Sequence, residues 1–323
     1  MPRQLFAAVA AVLVCAAAGA DDAKAALAAG GIAFADAVPV RAVSEDLHIG
    51  KAKTEDRWVF VNDSGVAAET QVLFRLPDLD VGRFFFEHIG TVGKDPENFV
   101  DFSAGANGRK VKPDILQRAF VGDRDVTDLL VAAGAPLDPV VGNGYFKLDA
   151  ISPAERKKLT DAGAVAIDSF GNLQPKWLVR TTLSWTQKFP PDRKVKISAS
   201  YRPVTGGAWI PGDAFDSAAA DGPAKTYCMD EAALAAVRAR MAARQHDKAV
   251  VFDALYGRFT DYQLANPATG PIGRFHLTVD KPDAKSVLAM CWDGEMKKTG
   301  AKRLEATATD FVPTRDIRLL VLQ

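Results

Sequence analysis

Asp123-Arg124-Asp125-Val126-Thr127 reads D-x-D-x-T, the pattern in which one aspartate attacks a phosphoryl group and the second handles the proton. That chemistry requires a buried parallel strand before the motif and a βαβ rhythm after it. Gln117 to Gly122 and the Pro- and Gly-broken residues that follow supply neither, and helix-capping aspartates account for the cluster more simply. A second acidic set, Glu45, Asp46, Asp310 and Asp316, has the residue types for acid–base hydrolysis. Such chemistry needs two carboxyl groups converging at ~5–10 Å in a cleft, a separation that linear spacing does not set. Aspartates beside Arg315 are as readily ion pairs. His48, His88, His246 and His276 are far apart, without a second ligand at helical or strand spacing. No H-E-x-x-H helix and no G-x-S-x-G elbow occurs, and Gly142-Asn143-Gly144 lacks the third glycine of a dinucleotide loop. The sequence therefore assigns no catalytic residue, no metal ligand and no cofactor-binding residue.

Two further groups carry weaker signals. Cys228 and Cys291 are expected to form a disulfide, because an exported chain that has lost Cys15 with its leader keeps only these two cysteines in an oxidising compartment. Separate buried thiols are the alternative, and a shared metal lacks the C-x-x-C spacing. Trp209, Tyr227 and Trp292 lie near Gly or Pro in expected loops, where aromatic rings either bind sugars and apolar ligands or plug the ends of sheets.

Composition sets the frame. The 323 residues are 48% hydrophobic and 25% charged, with 40 basic and 40 acidic side chains, so no overall charge recruits nucleic acid. Residues 1–20 read as a secretory signal peptide: Arg3, an apolar run from Leu5 to Ala18, and the A-x-A site Ala18-Gly19-Ala20 with cleavage before Asp21. A lipoprotein signal acylated on Cys15 is disfavoured by Val14, where a small residue is wanted. No later stretch approaches the ~20 apolar residues of a membrane span. The mature chain is expected to be periplasmic or secreted.

The elements that must position these residues are mostly strands. In Trp177 to Gly207, Trp177, Val179, Leu183, Trp185 and Phe189 alternate with polar residues; after Pro190-Pro191-Asp192, Val195, Ile197, Ala199 and Tyr201 do the same. This predicts a long two-stranded hairpin with one apolar face. Trp58 to Phe74 predicts strand, Asx-rich turn, strand, and Phe84-Phe85-Phe86 begins another. Lys110 to Gly163 predicts helical patches, with Thr127 and Ser152 as caps and Gly134 and Gly163 as stops. Asp230 caps a helix to about Gln245, and strands follow to the C-terminus.

Several stretches together resemble a family of exported bacterial proteins, domain-of-unknown-function family 4424 (DUF4424). They are Ala28-Ala29-Gly30-Gly31, Ser44-Glu45-Asp46-Leu47, Trp177 with Trp185 to Pro190, Tyr201-Arg202-Pro203, Gly270 to Phe275, Val279-Asp280-Lys281, Cys291 and Asp310 to Asp316. The resemblance implies a secreted or periplasmic, mostly β protein and brings no catalytic residues. Ser198-Ala199-Ser200 departs from the more polar, histidine-bearing stretch expected there. Trp58 to Pro77 is similar to the opening of vault and inter-alpha-trypsin-type β-sandwich modules, which are interaction domains.

The expected fold is a mainly β, antiparallel β-sandwich of residues 21–105 and 171–212, with a small helical insertion at 106–170 and a smaller α+β C-terminal unit at 213–323. The expected role is non-catalytic: binding a carbohydrate, lipid or envelope protein partner, with no nucleic acid, cofactor or membrane span. The alternative is a hydrolase with an acidic carboxylate site.

Overall fold

The computed structural model describes residues 28–82, 93–138, 148–216, 222–245, 253–264 and 270–323. The leader with Cys15 and the Ala20–Asp21 site, the Phe84-Phe85-Phe86 run, Gly142-Asn143-Gly144, His88 and His246 lie outside them.

Period-2 alternation becomes β1 (Ala28–Phe34), β2 (Val40–Ile49), β3 (Thr54–Asn62), β4 (Ala68–Arg75) and β5 (Leu79–Asp80). Next come β6 (Ser103–Ala106), β7 (Arg109–Val111), β8 (Asp114–Val121) and β9 (Arg124–Asp125), then helices α1 (Thr127–Ala132) and α2 (Pro153–Asp161). β10 (Val165–Ile167) and β11 (Leu173–Pro175) pair only with each other. They lead into β12 (Leu178–Phe189), β13 (Lys194–Tyr201) and β14 (Gly206–Pro211). After α3 (Pro223–Thr226) and α4 (Glu231–Gln245) come β15 (Ala254–Tyr262), β16 (Ile272–Asp280) and β17 (Val287–Cys291). The chain ends with β18 (Lys297–Lys298), β19 (Arg303–Phe311) and β20 (Ile317–Leu322).

Two sheets result. The first has the order β17-β20-β15-β1-β4-β12-β8-β9, with β14 on β15 and β5 on β12; the second runs β18-β19-β16-β2-β3-β13-β6-β7. The protein is mainly β and largely antiparallel; β1 with β15 and β2 with β16 are parallel pairs. Set side by side, the two orders match neighbours in sequence: β20 with β19, β15 with β16, β1 with β2, β4 with β3, β12 with β13. The chain thus repeatedly leaves one sheet, arches over, and enters the other. Inner faces meet in a shared core, where Phe60 of β3 lies 6.1 Å from Phe189 of β12 and Phe74 of β4 lies 5.6 Å from Tyr201 of β13.

Trp177 to Gly207 is therefore not a hairpin. β12 pairs with β4 and β8, whereas β13 pairs with β3 and β6. Alternation shows that a strand has one apolar face; it does not show which strand lies beside it, and an arch buries two such faces against each other just as well. Pro190-Pro191 withholds two N–H donors from any ladder, and Asp192, at φ 54°, turns the chain. The Trp58 to Phe74 segment arches likewise, since β3 and β4 lie in different sheets. Asn62 joins these two arches. Its fully buried side chain donates to Phe189 O at 2.8 Å and Val66 O at 2.7 Å, and its Oδ1 accepts from Ser64 N.

The segment expected to be helical contains one of the longer strands, β8, which extends the first sheet beside β12. Its helices are short. Ser152 caps α2 as expected, accepting from Glu155 N at 3.3 Å with Pro153 at the first position. Thr127 does not cap α1; Val126 holds that position, and the Thr127 hydroxyl accepts from Ala119 N. Asp230 caps α4 through Ala233 N at 2.7 Å.

Candidate ligand-binding site

Directly opposed residues in a sheet share a face, and this places the side chains of β15. Thr260 faces Leu319 and Tyr262 faces Ile317 across the β15–β20 ladder, and Tyr262, Ile317 and Leu319 are buried in the shared core. Arg258, opposite Val321, is in the same inward row. The other row, with Leu255, Leu320 and Leu322, packs under α4. An arginine thus points between the sheets, at the end of the sandwich where β2 and β16 stop.

That end is a narrow cleft, in which a water-sized probe has about 60 Å³ of room. Ile49, Phe259, Val279, Leu288, Leu319 and Val321 make its apolar walls, and Lys51, Pro203 and Thr205 are on its rim. The buried Nε of Arg258 has no hydrogen-bond partner among the described residues. Its guanidinium carbon is 5.9 Å from the Tyr256 ring centroid. Asp280 also lines the cleft but is engaged, with Arg303 at 2.7 Å and His48 at 2.8 Å. Arg303 first, helped by His48, holds its carboxyl down at about 2. The uncompensated charge at this mouth is positive.

The acidic candidates do not assemble. β2 carries a bulge between Ala42 and Ser44, which turns Glu45 into the core while the adjacent Asp46 faces outward. The strand facing the bulge has Gly273, where a Cβ would come 2.8 Å from Val43 O. Asp316 accepts from Leu264 N, and Asp310 is exposed on β19. Sequence reasoning missed the second buried acid, Asp56 on the neighbouring strand β3, whose charge Glu45 feels. Both are sealed, and Asp56 Oδ2 accepts from Tyr262 Oη at 2.7 Å and from Trp58 Nε1 at 2.5 Å. Burial pushes Asp56 up to about 7 against those two hydrogen bonds, and burial followed by the Asp56 charge raises Glu45 well above the usual carboxylate range. The signal for Asp56 was legible: it alternates with Thr54, Trp58 and Phe60 on one face of β3.

His48 and His276 come together on the outer face of the second sheet, on adjacent strands, with Asp46 3.5 Å from His276. Among the described residues no group of three His, Cys, Asp or Glu side chains could hold a metal ion. Asp125 of the D-x-D-x-T run is paired with Arg118 at 2.7 Å beside the tight β8–β9 connection, an antiparallel setting unlike the one phosphoryl transfer needs. Trp209 is 57% exposed on β14, 5.3 Å from Tyr256 and below Arg244. Tyr227 is buried under α4 and offers no ring face to solvent. Trp292 is half-buried against Phe275 and Phe311. Cys228 and Cys291 are bonded, with Cα atoms 4.9 Å apart.

The match to the family described as "Domain of unknown function (DUF4424)" spans residues 20–320. The chain belongs to the DUF4424 family. No curated protein matches it. Among solved structures, the DUF4424 chain is similar to a protein titled "putative nutrient binding protein" from Legionella pneumophila subsp. pneumophila str. Philadelphia 1. The identity is 11% and the TM-score 0.42, over 91% of this chain and 70% of that one. It is also similar to an M1 zinc metallopeptidase from Deinococcus radiodurans, at 9% identity and a TM-score of 0.27, over 87% of this chain and 42% of that one. Among the described residues no helix is long and apolar enough to cross a membrane.

Proposed function

We propose that this DUF4424 protein is a non-catalytic binding protein exported to the bacterial envelope, and that the cleft at the β2/β16 end holds an amphiphilic anion. An apolar chain or ring would lie between the sheets, and a carboxylate or phosphate head would meet Arg258. The observation that supports this reading is the inward Arg258 with its unpartnered buried Nε among apolar walls. A guanidinium turned into an apolar mouth without a carboxylate is costly in isolation, and a ligand anion is what would offset that cost. Apolar walls with one or two placed polar groups are the usual form of small-ligand sites.

The test is displacement of a fluorescent fatty acid by dodecanoate, dodecyl phosphate and dodecanol, in the wild type and in Arg258→Met. Saturable binding is expected, strongest for the two anions, with Arg258→Met weakening it about tenfold or more, the loss of one charge-assisted hydrogen bond. No saturable binding, or an Arg258→Met variant that binds the anions equally, rejects the site. Export is checked separately by N-terminal sequencing of periplasmic protein, which should begin at Asp21.

A further inference from the structure

The two sheet orders have four terminal strands. Three are short and charged: β9 is Arg124-Asp125, β7 is Arg109-Lys110-Val111 and β18 is Lys297-Lys298. That is the usual protection of an open edge, whose unpaired N–H and C=O groups would otherwise template another strand. β17 is different. It has five residues, Val287-Leu288-Ala289-Met290-Cys291, with no charge and no proline, and among the described residues it pairs with β20 alone. An apolar edge left unprotected beside three protected ones calls for a partner.

That edge lies in a groove. Two adjoining openings flank it, with about 550 and 430 Å³ of room for a water-sized probe, and Asp230, Ala233, Leu288 and Leu304 line both. One wall is α4, presenting Ala233 and Ala236; the other is Leu304 of β19 with Gly300 and Ala301 of the β18–β19 turn. The two ends of the groove differ in chemistry. At the Cys291 end, Met290, Trp292 and Met296 pack against the inter-sheet core and leave part of their apolar surface open. At the Val287 end are Lys281, Lys285 and Lys298. Lys285 and Lys298 are exposed, and burial first, then the Lys298 charge, holds Lys281 below its usual range. The carboxylate beside them, Asp230, is engaged in capping α4 through Ala233 N, so this end is net positive.

We propose that β17 takes an extended peptide of another protein as an added strand, with apolar side chains over Leu304 and Trp292 and acidic residues at Lys281, Lys285 and Lys298. Such pairing draws affinity from main-chain hydrogen bonds and specificity from alternate side chains. The lysines select an acidic segment by charge complementarity. A second copy of this chain fits poorly, because its own β17 is equally recessed between α4 and β19. Two such edges meet wall to wall before they meet edge to edge, whereas a single extended segment enters.

The probes are short fluorescent peptides of alternating valine and threonine with glutamates at either terminus, and the same peptides with lysines in place of the glutamates. Fluorescence anisotropy should show saturable binding of a glutamate peptide, tighter than its lysine counterpart by about tenfold or more. Methylating the backbone nitrogens of one alternate set of its residues should abolish binding, and methylating the other set should leave it, since only one set faces β17. Amide exchange at 287–291 should slow when the peptide binds. Lys285→Glu/Lys298→Glu should reverse the preference towards the lysine peptide, while Lys110→Glu, on the opposite edge of the second sheet, should leave it unchanged. No saturable binding, equal sensitivity to both methylation sets, or an unchanged preference in the charge-reversed variant overturns the proposal. So does a concentration-dependent dimer that protects 287–291 without peptide, which would assign the edge to a second copy.

Discussion

Glu45 and Asp56 are buried on the neighbouring strands β2 and β3 among largely aromatic and aliphatic side chains, and both Glu45 oxygens and Asp56 Oδ1 lack hydrogen-bond partners among the described residues. Such groups keep their protons, because burial penalises the charged form. In the unfolded chain both titrate near pH 4. Their folded values are raised, to about 7 for Asp56, so the folded state holds more protons between about pH 4 and pH 7. Their contribution is fully present below pH 4 and is lost as pH rises through that window, by about 1.4 kcal/mol per pH unit for each retained proton. Asp280 and Asp125, held down at about 2, act with the opposite sign and only below about pH 4. Urea unfolding should therefore show wild-type stability falling between pH 5 and pH 7.5, with Glu45→Gln and Asp56→Asn flattening the fall. A wild-type profile that is level or rising there would sink the assignment. Glu45 was visible in the sequence as an acid but not as a buried one. The shift in phase from Val40 and Ala42 to Leu47 and Ile49 carries the bulge that turns it inward, and reading β2 as one continuous alternation hides it.

Strands were legible as elements because period-2 alternation is a property of one segment. Their partners were not, because sheet membership depends on how a chain leaves each strand. Pro190-Pro191 and Asn62-Asp63-Ser64-Gly65 look like turn chemistry in either case; only the ladders distinguish an arch from a hairpin. Helices followed the same division. The Ser152 capping box was readable because all its parts lie within four residues, whereas Thr127 was recruited by Ala119 of β8, a tertiary partner. The arch geometry makes Asn62 critical. Replacing it with alanine leaves the buried Phe189 carbonyl without that partner, worth about 1–3 kcal/mol when unsatisfied, and also removes the bonds to the solvent-accessible Val66 carbonyl and Ser64 N–H. Asn62→Ala should cost about 3 kcal/mol in chemical denaturation. A loss below about 0.5 kcal/mol, the level of an ordinary surface substitution, would mean that the arches hold without the amide.

At the scale of the molecule, the boundary expected near residue 213 runs through both sheets. β1 sits between β15 and β4, and β2 between β16 and β3, so strands from the two ends of the chain are interleaved. Linear texture suggested separate units because the small-residue, turn-rich connection there resembles a linker; long-range parallel pairing leaves no trace in composition. The Cys228–Cys291 bond closes a loop of sequence separation 63 that includes α4, β15, β16 and β17. Within it, β15 and β16 are held by ladders to β1, β2, β19 and β20, whereas β17 is an edge strand paired to β20 alone. Removing the bond should act mainly through the unfolded chain, at about 4 kcal/mol for a loop of this length. Within the folded state it should loosen only the start of α4 and strand β17. The Cys228→Ser/Cys291→Ser double variant should thus unfold in one transition at lower urea concentration. Amide exchange should accelerate at 228–240 and 287–291, while β15 and β16 keep their protection. A second transition, or β15 and β16 losing protection together with β17, would show that the C-terminal strands open as a body of their own and that interleaving does not bind the molecule into one cooperative unit.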